Sequence, residues 1–327
     1  MTGAGGPAPG PLVSVVIPTY RRPELLMQRA LPSALTQTLR DLEVIVVVDG
    51  PDPATEAALA QVTDSRLRVL VLPQPSGGSV ARNAGVEAAR APWIALLDDD
   101  DEWMPFKLEG QLALAGAASV PFPVVACCWI TRTEQGDWPN PPRLPDLGEP
   151  VGDYLMARRR PTVHECGLVS ALLLTRRELL VQVPFTPGLP KHQDWDWMLR
   201  VDARPDVQFS VLPEVAAISY YENNRPQMSH TLDWRWSLAW AREHRDRGRL
   251  SNRAFAGFLV GKLAVQAARE GDRTARLPLL WELLGARPRL FELLRFAAIW
   301  TVPLAWREQL RALIRRRVQR PAPSTLT

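Results

Sequence analysis

Short apolar, largely β-branched runs recur along the first 130 positions: VSVVI (residues 13–17), EVIVVV (43–48), LRVLVL (67–72), WIALL (93–97) and VVACCWI (124–130). Near-continuous apolar character over so few residues suits strands covered on both faces by crossover helices. The stretches between them carry helical signals. PELLMQRALPSALTQTL opens on Pro23 and is interrupted or restarted at Pro32. PATEAALAQV follows the second run, SVARNAGVEAAR offers Ser79 as an N-cap, and PFKLEGQLALAGAA starts at Pro105. Strand and helix alternating over residues 13–130 predict an α/β domain with a mainly parallel sheet. Residues 131–165, rich in Pro, Gly and charge, predict a long surface excursion. A helical segment is expected around 170–180, a helix at HQDWDWMLRV, a late strand at VQFSVL, and helices alone from Thr231 onward.

With 46% apolar and 23% charged residues, the 327-residue chain can bury a substantial core, which excludes a disordered or fibrous class. The three cysteines, Cys127, Cys128 and Cys166, lack metal or redox spacing and are expected to be buried thiols in a reducing cytosol. Residues 1–11 lack the pattern of a signal peptide and are expected to be a flexible leader, and no apolar run reaches the roughly 20 residues that cross a bilayer. The net charge of +4 hides a division: residues 231–327 carry 19 Lys and Arg against 8 Asp and Glu, the rest 20 against 27. The basic character belongs to the tail.

In open α/β sheets ligands bind beyond the carboxyl ends of the strands. There the chain carries Thr19 and Tyr20, Asp49, the loop 76–79, and Asp98, Asp99, Asp100 and Asp101 followed by Glu102. Carboxylates about 5 Å apart repel by roughly 3 kcal/mol at an effective dielectric of 20, so stacking them at a cleft makes sense if a cation neutralises them. An EF-hand loop fails, because Trp103 stands where the sharp turn needs Gly. A P-loop pattern is absent, and the Gly cluster precedes the first strand, which removes the dinucleotide fingerprint. A base against Tyr20 and Asp49, with its phosphates on Mg²⁺ or Mn²⁺ at Asp100, makes a coherent nucleotide site.

The segments VSVVIPTYRRPELL, LTQT, EVIVVVDG, GGSVARNAG, WIALLDDDDEWMPFKLEGQ and HQDWDWMLR occur in the order found in family-2 inverting glycosyltransferases, which the chain resembles over residues 12–229. The resemblance implies the GT-A fold, a three-layer α/β/α sandwich, over residues 12–230, followed by a basic helical subdomain over 231–327. It implies a nucleoside-diphosphate-sugar donor and a divalent cation. Pro18, Thr19 and Tyr20 would line the nucleobase pocket, Asp49 would accept a hydrogen bond from the base, and Arg82 would lie near the donor. Asp98 and Asp99 would bind the nucleotide sugar, the latter toward the ribose, with Asp100 as metal ligand. Asp194 matches the family's catalytic base. Val48, the GPDP turn, Arg21 and Gln193 stand where the family commonly has Asp, a Ser-containing turn, Asn and Glu.

Asp196 is expected to be structural and paired with Arg200, and Trp195 and Trp197 to pack. His164 is a candidate acceptor contact and His230 a candidate metal ligand. The tail tryptophans Trp234, Trp236, Trp240, Trp281, Trp300 and Trp306, interleaved with arginine, fit either a helical subdomain with a solvated basic face or helices on an anionic membrane surface, REQLRALIRRRVQR being the best candidate. The acceptor would be a glycan or lipid-linked; no nucleic-acid module is present. A cytoplasmic protein, peripheral on the inner face of the membrane, is the expected setting. A catalytically silent binding module and a sugar nucleotidyltransferase are the alternatives.

Overall fold

The computed structural model describes residues 10–159, 167–221, 233–303 and 306. The chain divides into two compact units: the described residues of Met1–Trp129, Val169–Leu189 and Asp206–Tyr220 form the first, and those of Ile130–Leu168, Pro190–Pro205 and Tyr221–Thr327 the second.

The strands are β1 (Val13–Thr19), β2 (Leu42–Val48), β3 (Leu67–Val71), β4 (Trp93–Leu96), β5 (Glu102–Trp103), β6 (Phe122–Thr133), β7 (Gly136–Asn140), β8 (Leu174–Arg176) and β9 (Val207–Tyr220). The sheet of the first unit runs β3-β2-β1-β4-β8-β6-β9-β5. From β3 to β4 the pairs are parallel, with Val13 opposite both Leu42 and Trp93. β8 then pairs antiparallel with both β4 and β6, and β5 antiparallel with β9. The result is a mixed α/β sheet whose parallel half holds the first four apolar runs read from the sequence, while the fifth, at 124–130, lies in β6 and pairs antiparallel with β8. Every residue of β2 is buried, and of β1 only Pro18 is partly open, as strands covered on both faces require.

Two local readings need correction. The segment expected to be helical around 170–180 contains β8 between a short 3-10 turn at Ser170–Leu172 and the helix Arg177–Gln182. Its leucine run is short enough to serve either element, and the pairing of Leu174–Arg176 with both β4 and β6 makes it a strand. Ser79 is not the N-cap of its helix: Gly77 holds that place, with φ of 90°. At Pro32 the helical stretch continues through a π turn at Leu26–Ala30, a wider winding that accommodates the missing proline N–H and its ring.

The helix Gly78–Ala88 lies on β1 and β2 through Gly85. A Cβ there would stand 2.3 Å from Val16 Cγ1 and 3.1 Å from Val47 Cγ2, both fully buried. Gly85→Ala is therefore expected to destabilise the protein by about 1–3 kcal/mol despite its better helix propensity, seen as a lower urea midpoint at unchanged slope. Adding Val16→Ala, which opens room for the methyl, should cost less than the two separate effects together.

Below the acidic run lies a buried polar spine. Lys107, fully buried, donates to Gln111 Oε1 at 2.6 Å and sits 3.7 Å from the centre of the Trp103 ring. Gln111 in turn donates to the carbonyls of Val125 and Leu172. Burial pulls the Lys107 ammonium down to about 8 and pushes the Cys127 thiol up to about 11.

In the second unit the expected excursion contains β7, which pairs with the end of β6, and the helix Val151–Met156. It also holds the helix Gln193–Asp202 and the helical tail from Trp234 to Thr301. Of the tail tryptophans, Trp234 and Trp240 are buried, while Trp281 and Trp306 are exposed. Among the described residues no helix is long and apolar enough to cross a membrane. His164, Cys166, His230, all of REQLRALIRRRVQR and all but the end of the 1–11 leader lie outside the described residues.

Candidate active site

Parallel pairing brings the ends of β1, β2 and β4 to one edge of the sheet, and with them most residues singled out from the sequence. Pro18 and Thr19 close β1 opposite Val47 and Val48. Tyr20 follows, 46% exposed, with the Arg21 guanidinium 5.2 Å from its ring. Arg21 adopts a left-handed backbone, φ 53°, which turns the chain sharply after the strand.

Asp49 leaves β2 with its amide donating to the Thr19 carbonyl. Its carboxylate accepts from the backbone N–H groups of Ser76, at 2.7 Å, and Gly77, at 2.8 Å. The next residue, Gly50, has φ of 90°, and a Cβ there would fall 2.7 Å from Pro75, so the GPDP turn and the 75–77 loop close on each other. Asp49 thus holds the rim of the expected base pocket.

Beyond β4 the acidic run is met by a set of donors. Asp98 accepts from Arg82 at 2.6 Å. The largely buried Asp99 accepts from the Thr19 hydroxyl at 2.8 Å and from Arg22 at 3.3 Å. Arg22 also reaches Asp100 Oδ2 at 3.3 Å, and Arg29, stacked on Tyr220, donates to the Asp100 carbonyl. Glu102 accepts from the Tyr220 hydroxyl at 2.7 Å. Burial and the neighbouring Asp100 charge push Asp99 up to about 6, against the pull of Arg22 and Thr19. Burial, with Asp98 and Asp100, holds Asp101 well above the usual carboxylate range despite a hydrogen bond from Ser219. The edge thus crowds carboxylates together, with Arg22, Arg29 and Arg82 offsetting part of their charge.

Arg22 and Arg29 escaped the reading of the sequence. The doubled arginine of PTYRRPE was the visible signal for Arg22: Arg21 rests over Tyr20, and Arg22, one residue on, turns toward the carboxylates.

Asp194 belongs to the second unit, in the first turn of the helix Gln193–Asp202. Asp196, two residues on, is fully engaged, accepting from Arg200 Nε at 2.8 Å and lying 3.1 Å from His244 Nε2. Trp197 is buried, whereas Trp195 is partly open and stacks on His192, ring centres 5.3 Å apart and planes 2° off parallel. Lys262 Nζ stands 5.2 Å from the Trp195 ring.

His192, which the sequence reading passed over, precedes this helix in a left-handed conformation, φ 62°, its Nε2 2.9 Å from the Ser237 hydroxyl and its ring among Trp195, Trp236, Trp240 and Phe258. Burial, with Lys191, Lys262 and His244, holds its pKa down to about 3. The unfolded chain takes up this proton near pH 6.5 and the folded chain refuses it, so stability is present above that pH and is lost as pH falls toward 3. His192→Asn, which tolerates the left-handed backbone, is expected to flatten this acid-side slope by up to about 1.4 kcal/mol per pH unit, read from urea unfolding between pH 4 and 6.

Comparison with known proteins places this geometry. Succinoglycan biosynthesis protein ExoO of Rhizobium meliloti is 41% identical over 108 residues, 33% of this chain and 31% of that protein. The putative teichuronic acid biosynthesis glycosyltransferase TuaG of Bacillus subtilis is 38% identical over 104 residues, 31% of this chain and 41% of that protein. The Escherichia coli UDP-Glc:alpha-D-GlcNAc-diphosphoundecaprenol beta-1,3-glucosyltransferase WfgD is 33% identical over 103 residues, 32% of this chain and 40% of that protein. Each match therefore spans well under half of the relative's own length. S. aureus TarS in complex with UDP-GlcNAc superposes with a TM-score of 0.59 at 16% identity, covering 84% of this chain and 79% of that one, so the two share the GT-A fold. A model of the family described as Glycosyl transferase family 2 matches residues 14–183. That span takes in the whole carboxylate-bearing sheet edge and more than half of the sequence, and the chain belongs to glycosyl transferase family 2.

Proposed function

We propose that this chain transfers one sugar per encounter from a nucleoside-diphosphate-sugar to an acceptor hydroxyl, with inversion, in the synthesis of a cell-surface polysaccharide or glycolipid. The observation that carries the reading is the assembly of Tyr20, Asp49, Arg82 and the Asp98–Asp100 carboxylates at one sheet edge. An aromatic face, a carboxylate on a fixed loop and a carboxylate run are what a base, a ribose and a metal-bound diphosphate each require. UDP-sugars are the first donors to consider, given the UDP-GlcNAc bound by TarS and the UDP-Glc in the name of WfgD.

A divalent cation suits the donor set, because the side chains at the run offer carboxylate oxygen, the ligand preferred by Mg²⁺ and Mn²⁺. Asp100 would hold it, and among the described residues no three His, Cys, Asp or Glu side chains form a fuller ligand group, so donor phosphates and water would complete the shell. When bound, the ion would neutralise charge growing on the departing nucleoside diphosphate. Asp194 is the general base in this scheme. It takes the acceptor hydroxyl proton as the oxygen bonds to the anomeric carbon and the bond from that carbon to the phosphate oxygen breaks. Asp194 is chosen over Asp196 because it is the position that matches the family's base in the HQDWDWMLR segment.

The alternative is a silent binding module that keeps the fold without turnover. A panel of UDP-, GDP- and dTDP-sugars, each with Mg²⁺, Mn²⁺ or chelator, separates the two: metal-dependent release of free nucleoside diphosphate from one of them is expected. Donor binding without release under any metal would favour the silent module.

A further inference from the structure

We propose that the antiparallel helices Arg276–Gly285 and Leu290–Thr301 form a docking surface for an anionic lipid bilayer. Each helix is apolar on two sides. Leu279 and Leu283 of the first and Phe296 and Ile299 of the second are buried, and both helices pack against the segment Leu259–Arg269. On the other side Leu277 and Trp281 are each 78% exposed and Leu284 52%, at a spacing of four and three residues that makes one stripe. Leu290, 72% exposed, and Leu294, 62%, make a second stripe. Arg276 lies over the Trp300 ring at 5.9 Å, which pairs the start of one helix with the end of the other. Soluble domains rarely leave so many large apolar side chains together in water.

The charge distribution selects the occupant. Arg273, Arg276, Arg287 and Arg289 are exposed around these helices. The acids of the same span are ion-paired or buried: Glu282 pairs with Arg242 at 2.6 Å and with Arg245 at 3.3 Å, and Glu292 is buried, accepting from the Arg289 amide. Among the described residues of the two helices, the outward side thus offers leucine, tryptophan and guanidinium, and neither carboxylate of the span is fully exposed. A second copy related by a twofold axis would set arginine against arginine. Lipid phosphates answer the guanidiniums, while the indole and the leucines enter the acyl boundary. At 10 and 12 residues the helices are too short to span a bilayer, so they lie in its surface. This surface belongs to the helical unit and stands whether or not the donor reading above is correct.

The test is co-flotation of the full chain with phosphatidylcholine vesicles, with or without about 30 mol % phosphatidylglycerol. Binding at least tenfold stronger on the anionic vesicles, weakening with salt, is expected. The variant Leu277→Ser, Trp281→Ser, Leu290→Ser is expected to lose at least tenfold in binding while keeping the wild-type melting temperature, since all three side chains are exposed; Arg287→Ala, Arg289→Ala should lose preference for anionic lipid. Wild-type protein that does not float, equal binding to neutral vesicles, or a triple variant that binds as well as wild type would overturn the proposal. So would a concentration-dependent dimer in ultracentrifugation that the triple variant abolishes, because the face would then be an interface between copies. Nucleoside diphosphate release by the triple variant from donor and a soluble acceptor reads the catalytic proposal separately.

Discussion

Asp194→Asn is expected to lower kcat by about 10²- to 10⁴-fold while leaving donor affinity within a factor of about two, the signature of losing a group that acts as the acceptor proton departs. Asparagine keeps the size and helix position of the aspartate and removes only its capacity to take a proton. Asp196→Asn is the internal control. Its carboxylate is held by Arg200 and His244, so the change should lower the melting temperature and leave kcat within a few fold. The measurements are nucleoside diphosphate release under saturating donor and acceptor, and donor binding by calorimetry. An Asp194→Asn enzyme that turns over at the wild-type rate would remove the aspartate from the mechanism.

The second large effect is expected at Asp100. Asp100→Ala should cost several kcal/mol of transition-state stabilisation, about 10²- to 10⁴-fold in kcat, and abolish the dependence of donor binding on Mg²⁺ or Mn²⁺. A fold defect would confuse the result, but none is expected. Asp100 is one of the charges pushing Asp99 up to about 6, so its removal relieves repulsion in the ligand-free protein, whose melting temperature should hold or rise. Retention of metal-dependent donor binding by this variant would move the ion elsewhere.

The parallel half of the sheet was legible because β1, β2 and β4 are nearly continuous apolar runs that only two-sided burial explains, and strand ends in such a sheet converge whatever the loop lengths. The position of the carboxylates at its edge followed from that. β8 was not legible, since three residues within a leucine-rich stretch carry no period, and their pairing with β4 and β6 comes from distant chain. The partners of the acidic run were hidden for a related reason: Arg22 and Asp99 are far apart in sequence, and only the turn at Arg21 brings them within 3.3 Å. Trp281 stood out in the sequence as a candidate interfacial residue, but the exposed leucines beside it did not, because helices apolar on two sides read simply as core, and accessibility alone tells Leu277 from Leu279.

The grip of Asp49 on the Ser76 and Gly77 amides has an energetic corollary. In the proposed donor site, a wall already locked in the ligand-free protein would spare an incoming nucleotide the entropy of immobilising a loop, so more of its contact energy would emerge as affinity. Softening that lock should weaken every donor alike, through faster dissociation, without altering which base is chosen.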